Sequence, residues 1–302
     1  MDFRELQYIV SIAKNQNITR ASEEVFVSQP TLSKFVQNIE HYLGQPLFRR
    51  LGNRFLLTYA GESYVEKAKA MLSMKKELDE ELSDILKKDI GELKIAFPIT
   101  RGTYMLPCTL PVFKKEYPRV KVTVKEADSK ALEEMILEGE IDLAFFTLPI
   151  RHPDIDHDTI QEEEVVLVMK ADHPMVTESV YKANCKYPWI DLTKLANETF
   201  ILQRHDQRTR HITDQVFHDL DMEPKLSLSI RNIMASVELA AGGYGVTFVG
   251  ETHLRHITLK EKPAFFSVGN PKTMTSFVAA YRRGIYLPEY TRRYIQIVRE
   301  FT

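Results

Sequence analysis

The chain has 302 residues, 44% of them apolar, with a net charge of only −2, which is long and apolar enough for two or three compact units. No window approaches ~20 uninterrupted apolar residues, and the opening MDFREL carries neither a basic n-region nor an apolar h-region; this argues against a membrane span or secretory leader, so a soluble protein that stays inside the cell is expected. Cys108 and Cys185 are too few and too far apart for a zinc cluster or a disulfide framework, so neither a metal nor a cofactor is expected.

Apolar spacing predicts three short helices at the N-terminus. Leu6, Ile9, Val10 and Ala13 share one face, then Ala21 and Val25, then Leu32, Phe35, Val36, Ile39 and Leu43, so the three helices close on one small core. Ser28 is placed to cap the third helix, Pro30 sits in its first turn where a missing N–H costs nothing, and Gly44 stops it. With the apolar face inward, Gln29, Thr31, Ser33, Lys34 and Gln37 are left outward. Short polar donors and acceptors with one cation match a major groove, which displays hydrogen-bonding base edges and thymine methyls between phosphates. Arg49, Arg50 and Arg54 follow around Gly52 and Asn53, residue types that favour a tight turn between two short strands. Alone, such a turn reads as a solvated surface loop. Beside a polar helix face it reads as a wing, whose guanidinium groups can enter a minor groove or clamp phosphates. Residues 1–60 hold seven Lys and Arg against five Asp and Glu. Nonspecific affinity is therefore expected to be modest, with binding strength coming from two or four heads on one site.

The order of these residues resembles the winged helix-turn-helix of LysR-type transcriptional regulators. The resemblance rests on Phe3, Leu6, Phe26, Val27, Ser28, Gln29, Pro30, Ser33, Ile39, Glu40, Leu43, Gly44, Leu47, Phe48, Arg50, Leu57, Thr58, Ala60 and Gly61 at the family's spacing. Ser22 stands where alanine is usual, Val25 where leucine is, and Phe35 where isoleucine or valine is common; these change core volume, not groove chemistry. The resemblance implies double-stranded DNA as partner, contacted by Ser28, Gln29, Thr31, Ser33 and Lys34 from a recognition helix and by Arg50 and Arg54 from the wing.

From Thr58 to Lys88 there is no proline and only Gly61. Tyr64, Ala68, Met71, Lys75, Leu78, Leu82 and Ile85 recur at alternating steps of four and three, a heptad seam broken once by Lys75. Such a helix either packs on its own domain or pairs with a second copy. A small head has little core for it to cover, and the resemblance implies a dimerising linker helix. A two-fold dimer would present recognition helices to half-sites about 34 Å apart and so read a near-palindrome.

From Gly91 onward, alternating strands and helices predict an open parallel sheet. Strands are expected at 93–97, 120–126, 141–147, 164–171, 199–203, 225–230, 244–250 and 275–281. Ligands in such sheets bind beyond the carboxyl ends of strands. The loops of interest therefore run from Pro98 to Thr103, through Asp128 and Ser129, to Thr147, and from Gln203 to Arg208. This part resembles the family's effector-binding region, a type-2 periplasmic-binding-protein-like fold of two α/β subdomains with a ligand cleft between them. The family's strand crossings, near residue 161 and back near residue 267, fit Val165 to Lys170 and Phe265 to Val268. By that resemblance Thr100, Arg101, Ser129, Thr147, Gln203 and His205 line the cleft. Arg101 is not a general family feature and hints at an anionic effector such as a carboxylate.

The expected architecture is thus α+β and multidomain. A winged helix-turn-helix occupies 1–58, a linker helix 59–90 and an effector domain 91–302, with lobe I at 91–161 and 268–302 and lobe II at 162–267. A ligand-responsive regulator accounts for all the parts, and the resemblance implies a homo-oligomer, dimer or tetramer, with RNA polymerase as a further partner. An enzyme is the weaker reading. His205 and Asp206 are adjacent in an extended segment and point to opposite sides, and the Gly242-Gly243-Tyr244-Gly245 run precedes a strand where a phosphate cradle should follow one. A constitutive architectural DNA binder would leave some two hundred residues of cleft-forming pattern without a role.

Overall fold

The computed structural model describes residues 2–52, 54–85, 89–255, 259–270 and 272–302, without the side chains of Ile85, Leu226 and Ser227. Asn53 of the expected turn and residues 86–88 of the expected linker lie outside the described residues. The chain divides into two compact units, 1–88 and 89–302.

The first unit contains α1 (Phe3–Asn15), α2 (Ile18–Glu24), α3 (Gln29–Leu43), β1 (Phe48–Leu51), β2 (Arg54–Leu57) and α4 (Tyr59–Ile85). Each of the three short helices starts at a polar cap: Asp2 in a reciprocal capping box with Glu5, Asn17 accepting the amides of Thr19 and Arg20, and Ser28 accepting that of Thr31. Gly44 ends α3 with φ +66°, a conformation open to glycine at no steric cost. Ile9, Ile12, Ile18, Ala21, Leu32 and Val36 close the core between the helices, and Phe48 and Phe55 seal it from the antiparallel hairpin. Leu43, inward by spacing, is instead exposed at the helix end. Buried Ser22 keeps its hydroxyl satisfied by donating to the Thr19 carbonyl at 2.7 Å, so the polar atom costs little where alanine is usual. Along α4, Ala68 is buried, whereas Met71, Met74, Leu78 and Leu82 form an exposed apolar stripe.

The second unit contains β3 (Gly91–Phe97), α5 (Ile99–Glu116), β4 (Val120–Glu126), α6 (Ser129–Leu137), β5 (Leu143–Thr147) and β6 (Ile155–Lys170), followed by β7 (Thr199–Gln203), α7 (Arg208–Asp219), β8 (Lys225–Ile230), α8 (Ile233–Ala241) and β9 (Val246–Gly250). The short α9 (Glu251–Leu254), β10 (Pro263–Ser267), β11 (Met274–Arg282) and α10 (Glu289–Glu300) complete it. The strand order is β4-β3-β5-β11-β6-β9-β7-β8, with β10 also on β6. Pairing is parallel for β3 with β4 and β5, and for β7 with β8 and β9. The expected open parallel sheet is corrected to a mixed one, because β6 pairs antiparallel with β9, β10 and β11, and β11 also with β5.

Strand β6 starts well before the expected residue 164 and serves both halves of the sheet. Up to Glu164 it pairs with β11, and from Val165 with β9 and β10. Its polar first half, IDHDTIQEEE, gave no apolar run to read, whereas Val165–Met169 is fully buried. One half, lobe I, packs Phe97, Phe113, Phe145, Tyr290 and Tyr294 in its core. The other, lobe II, packs Phe200, Phe217, Phe248 and Phe266.

Candidate functional site

On the first unit, α3 presents Gln29, Thr31, Lys34 and Gln37 exposed and Ser33 half-buried. Ser28 is occupied locally, its Oγ accepting the Thr31 amide at 3.3 Å and sharing a 2.7 Å hydrogen bond with Thr31 Oγ1. Glu40 Oε1 accepts the amides of Leu47 and Phe48 at 2.8 and 2.9 Å, which ties the far half of α3 to the first wing strand. Helix face and wing are therefore held in register by one carboxylate. The Arg50 guanidinium lies 4.8 Å from the Phe55 ring centroid, stacked on the hairpin, while Arg49 and Arg54 are exposed.

On the second unit, a cavity of about 140 Å³ opens between the lobes. Lobe I contributes Pro98, Ile99, Thr100 and Arg101 from the start of α5, Ala127, Asp128 and Ser129 from the start of α6, and Thr147 from the end of β5. Lobe II contributes Asp206, Gln207, Arg208 and Thr209 from the start of α7, with Arg231, Ile233 and His253. Four of the six residues expected at the cleft come together there: Thr100, Arg101, Ser129 and Thr147.

The other two do not. Gln203, the last residue of β7, turns into the core of lobe II, where its Nε2 donates to Ser236 Oγ and the Phe248 carbonyl. His205 lies in the exposed loop before α7, 3.9 Å from Asp214. Arg231 and His253, which spacing did not single out, lie just past the ends of β8 and β9. The rule that ligand loops follow strands could have found both.

Arg101 also differs from its expected role as a free cation. Its Nη2 donates to Glu163 Oε1 at 2.9 Å and to Thr147 Oγ1 at 3.3 Å, its Nη1 donates to Thr252 Oγ1 at 3.1 Å, and its Cζ lies 4.0 Å over the Phe277 ring. Burial opposes the charge of Arg101, yet Glu163 raises its pKa above the ordinary arginine value. Burial likewise opposes the Glu163 carboxylate, but Arg101, His253 and the hydroxyls of Thr252 and Thr147 hold its pKa below the ordinary carboxylate value. The pair is charged and mutually neutralised.

A second ion pair joins the lobes directly, from Arg208 on α7 to Glu133 on α6, both buried. Burial pushes the Arg208 pKa down against the pull of Glu133, and its Nη1 is buried with no hydrogen-bond partner. Arg231 pairs with Asp206 at the rim. No side chain caps α7, a 12-residue helix, and its N-terminal residues Gln207, Arg208 and Thr209 line the cleft. Among the described residues, no group of three or more His, Cys, Asp or Glu is placed to hold a metal ion, and no helix is long and apolar enough to cross a membrane.

Residues 3–62 match the bacterial regulatory helix-turn-helix protein, lysR family, and residues 87–302 match the LysR substrate binding domain. The chain belongs to the LysR family. It is a DNA-binding transcriptional regulator with an effector-binding domain. This LysR-family chain is 26% identical over 249 residues to the uncharacterised HTH-type transcriptional regulator YybE of Bacillus subtilis, covering 82% of each chain. It is 28% identical over 251 residues to the Hca operon transcriptional activator HcaR of Escherichia coli, covering 82% of this chain and 81% of HcaR. Among solved structures, full-length CbnR complexed with its target DNA matches with TM-score 0.61 and 22% identity, covering 100% of both chains. That last likeness is one of fold.

Proposed function

We propose that this regulator binds a near-palindromic promoter site as a homo-oligomer, dimer or tetramer, and answers to a small anionic effector held between the two lobes. The DNA contacts in this reading are Ser28, Gln29, Thr31, Ser33, Lys34 and Gln37 on α3 and Arg50 and Arg54 on the wing. Support comes from the polar face of α3, fixed to the wing through Glu40, and from the solved CbnR complex with target DNA. The exposed stripe of Met71, Met74, Leu78 and Leu82 supports α4 as the surface that pairs with a second copy, in the role of linker helix for residues 59–90.

The observation that carries the anionic effector is the uncapped start of α7, with Arg208 in its first turn. Thr100 and Ser129 supply hydroxyls opposite, while Arg101 and Thr147 hold the wall through Glu163. No chemistry is performed on the effector in this reading, and the protein is not an enzyme. The effector acts by binding one lobe arrangement more tightly than another, which alters how heads are spaced on DNA and how RNA polymerase is engaged.

The test is binding of the purified chain to DNA upstream of its own gene, across a salt series with excess random duplex. A protected near-palindrome, with a footprint altered by one of a panel of small carboxylates, is the expected result. Binding with no preference over random duplex at any salt, there and in a genome-wide selection of bound fragments, would overturn the reading.

A further inference from the structure

Beside the effector cleft lies a second cavity, of about 200 Å³, between α6 of lobe I and α7 of lobe II. It shares Ser129, Asp206 and Arg208 with the cleft, and its remaining wall includes Lys130, Glu133, Arg151, His152 and His211. The carboxylates on this wall are already matched: Glu133 by Arg208, Glu134 by Lys130 and Asp206 by Arg231. The Arg151 guanidinium has no carboxylate partner among the described residues. It turns instead to His211, with 2.7 Å between Nη2 and Nε2, a contact in which the arginine must donate and the imidazole accept.

We propose that this cavity is a second anion site, which takes a small oxyanion of the phosphate or carboxylate type between Arg151 of lobe I and His211 and Arg208 of lobe II. Three observations carry it; Arg151 and His211 take no part in the effector reading, whereas Arg208 lines both cavities. An unmatched guanidinium faces a cavity large enough for such a group. Arg208, buried on the shared wall, keeps Nη1 without a hydrogen-bond partner. The donors reach the cavity from two elements on opposite lobes, Arg151 from the loop after β5 and Arg208 and His211 from the start of α7, so together they flank an oxyanion. The field at His211 agrees. Burial first, then Arg151, Arg208 and His205, depress its pKa below the ordinary histidine value, with Asp214 opposing, and Lys130 and His152 face the same space. An oxyanion there offsets the cationic part of that field and draws Arg151 off His211 Nε2, so that His211 takes a proton there and becomes a further donor, and the lobes are joined through Arg151 and His211, which do not line the cleft.

The test is calorimetric titration of the full chain with inorganic phosphate and, separately, acetate, without DNA or effector. Saturable binding of one of them is expected, weakened at least tenfold by Arg151→Gln and unchanged by Thr100→Val, which alters only the effector cleft. The probe that binds more tightly identifies the class of oxyanion. Net proton uptake near pH 6.5, the ordinary histidine value, is expected in the parent and is lost in His211→Gln. No saturable binding of either anion overturns the site. So does binding that Arg151→Gln leaves intact and Thr100→Val abolishes, since the anion then sits in the cleft.

Discussion

Arg101 and Glu163 form an ion pair at 2.9 Å with side-chain exposures of only 3% and 1%. Arg101 comes from the first turn of α5 and Glu163 from β6, at the point where that strand passes from lobe I to lobe II. The carboxylate also accepts from Thr147 Oγ1 at 3.1 Å and from Thr252 on the lobe II side. Four residues from four elements therefore meet where the lobes join, and the cleft wall there has its charge already balanced.

Arg101→Ala leaves Glu163 buried and unmatched, so it should destabilise the second unit by about 3–5 kcal/mol, and not merely abolish an effector response. Replacing the pair together, Arg101→Met with Glu163→Leu, should recover most of that loss. Urea unfolding of the three variants decides it: an unchanged midpoint for Arg101→Ala would show that the pair is not structural.

The pH dependence follows from the same carboxylate. The folded-state pKa of Glu163 is held below the ordinary value of 4.5, so its contribution is fully present above 4.5 and disappears as pH falls through the lower, folded value. The parent should lose stability below pH 4.5 more steeply than Glu163→Gln, which has no carboxylate to protonate there. Parallel acid limbs for the two would remove Glu163 from the account.

On the head, Arg54→Ala should weaken binding to all duplexes and lower the salt slope by about one, whereas Gln29→Ala should change base preference. Arg50→Ala should also lower head stability slightly, because Arg50 rests on Phe55. Affinity measured on operator and random duplex over a salt series separates these effects. If Arg54→Ala binds like the parent at every salt, the wing makes no contact.

Gly61 permits α4 to start against the wing. A Cβ there would lie 2.0 Å from the Leu47 carbonyl oxygen, a backbone atom that cannot move aside alone. Gly61→Ala should cost about 1–3 kcal/mol or more in the first unit and reduce DNA affinity through lost head structure. Thermal unfolding and operator binding should fall together; a stable variant that binds normally would show that the wing accommodates the methyl group.

The head was legible because its signals are local. The cap, the proline, the terminal glycine and the apolar face of α3 all fall within seventeen residues, from Ser28 to Gly44. The strands of the sensor were legible where they are buried on both faces, as in 199–203 and 164–170, and missed where β6 is polar. Pairings across distance were not legible. Sixty-two residues separate Arg101 from Glu163 and seventy-five separate Glu133 from Arg208, and no spacing rule relates them. Arg101 could be placed beside a cleft from its strand, but whether its charge was free depended on a residue from another element. Gln203 and His205 were misplaced because the end of a strand fixes where a loop begins, not which way its side chains turn.

The position of β11 bears on how the chain emerges from the ribosome. It lies between β5 and β6, and Tyr290 and Tyr294 of α10 fill the core beneath. The head and lobe II precede these segments in the nascent chain, whereas lobe I must wait, with β5 and β6 parted, until residues 274–300 arrive. A chain released early, short of Met274, would therefore carry a finished DNA-reading head on an open hydrophobic sheet. The C-terminal helix thus acts as the closing stitch, and its loss should send the protein to proteolysis or aggregation, not leave a regulator that merely cannot sense.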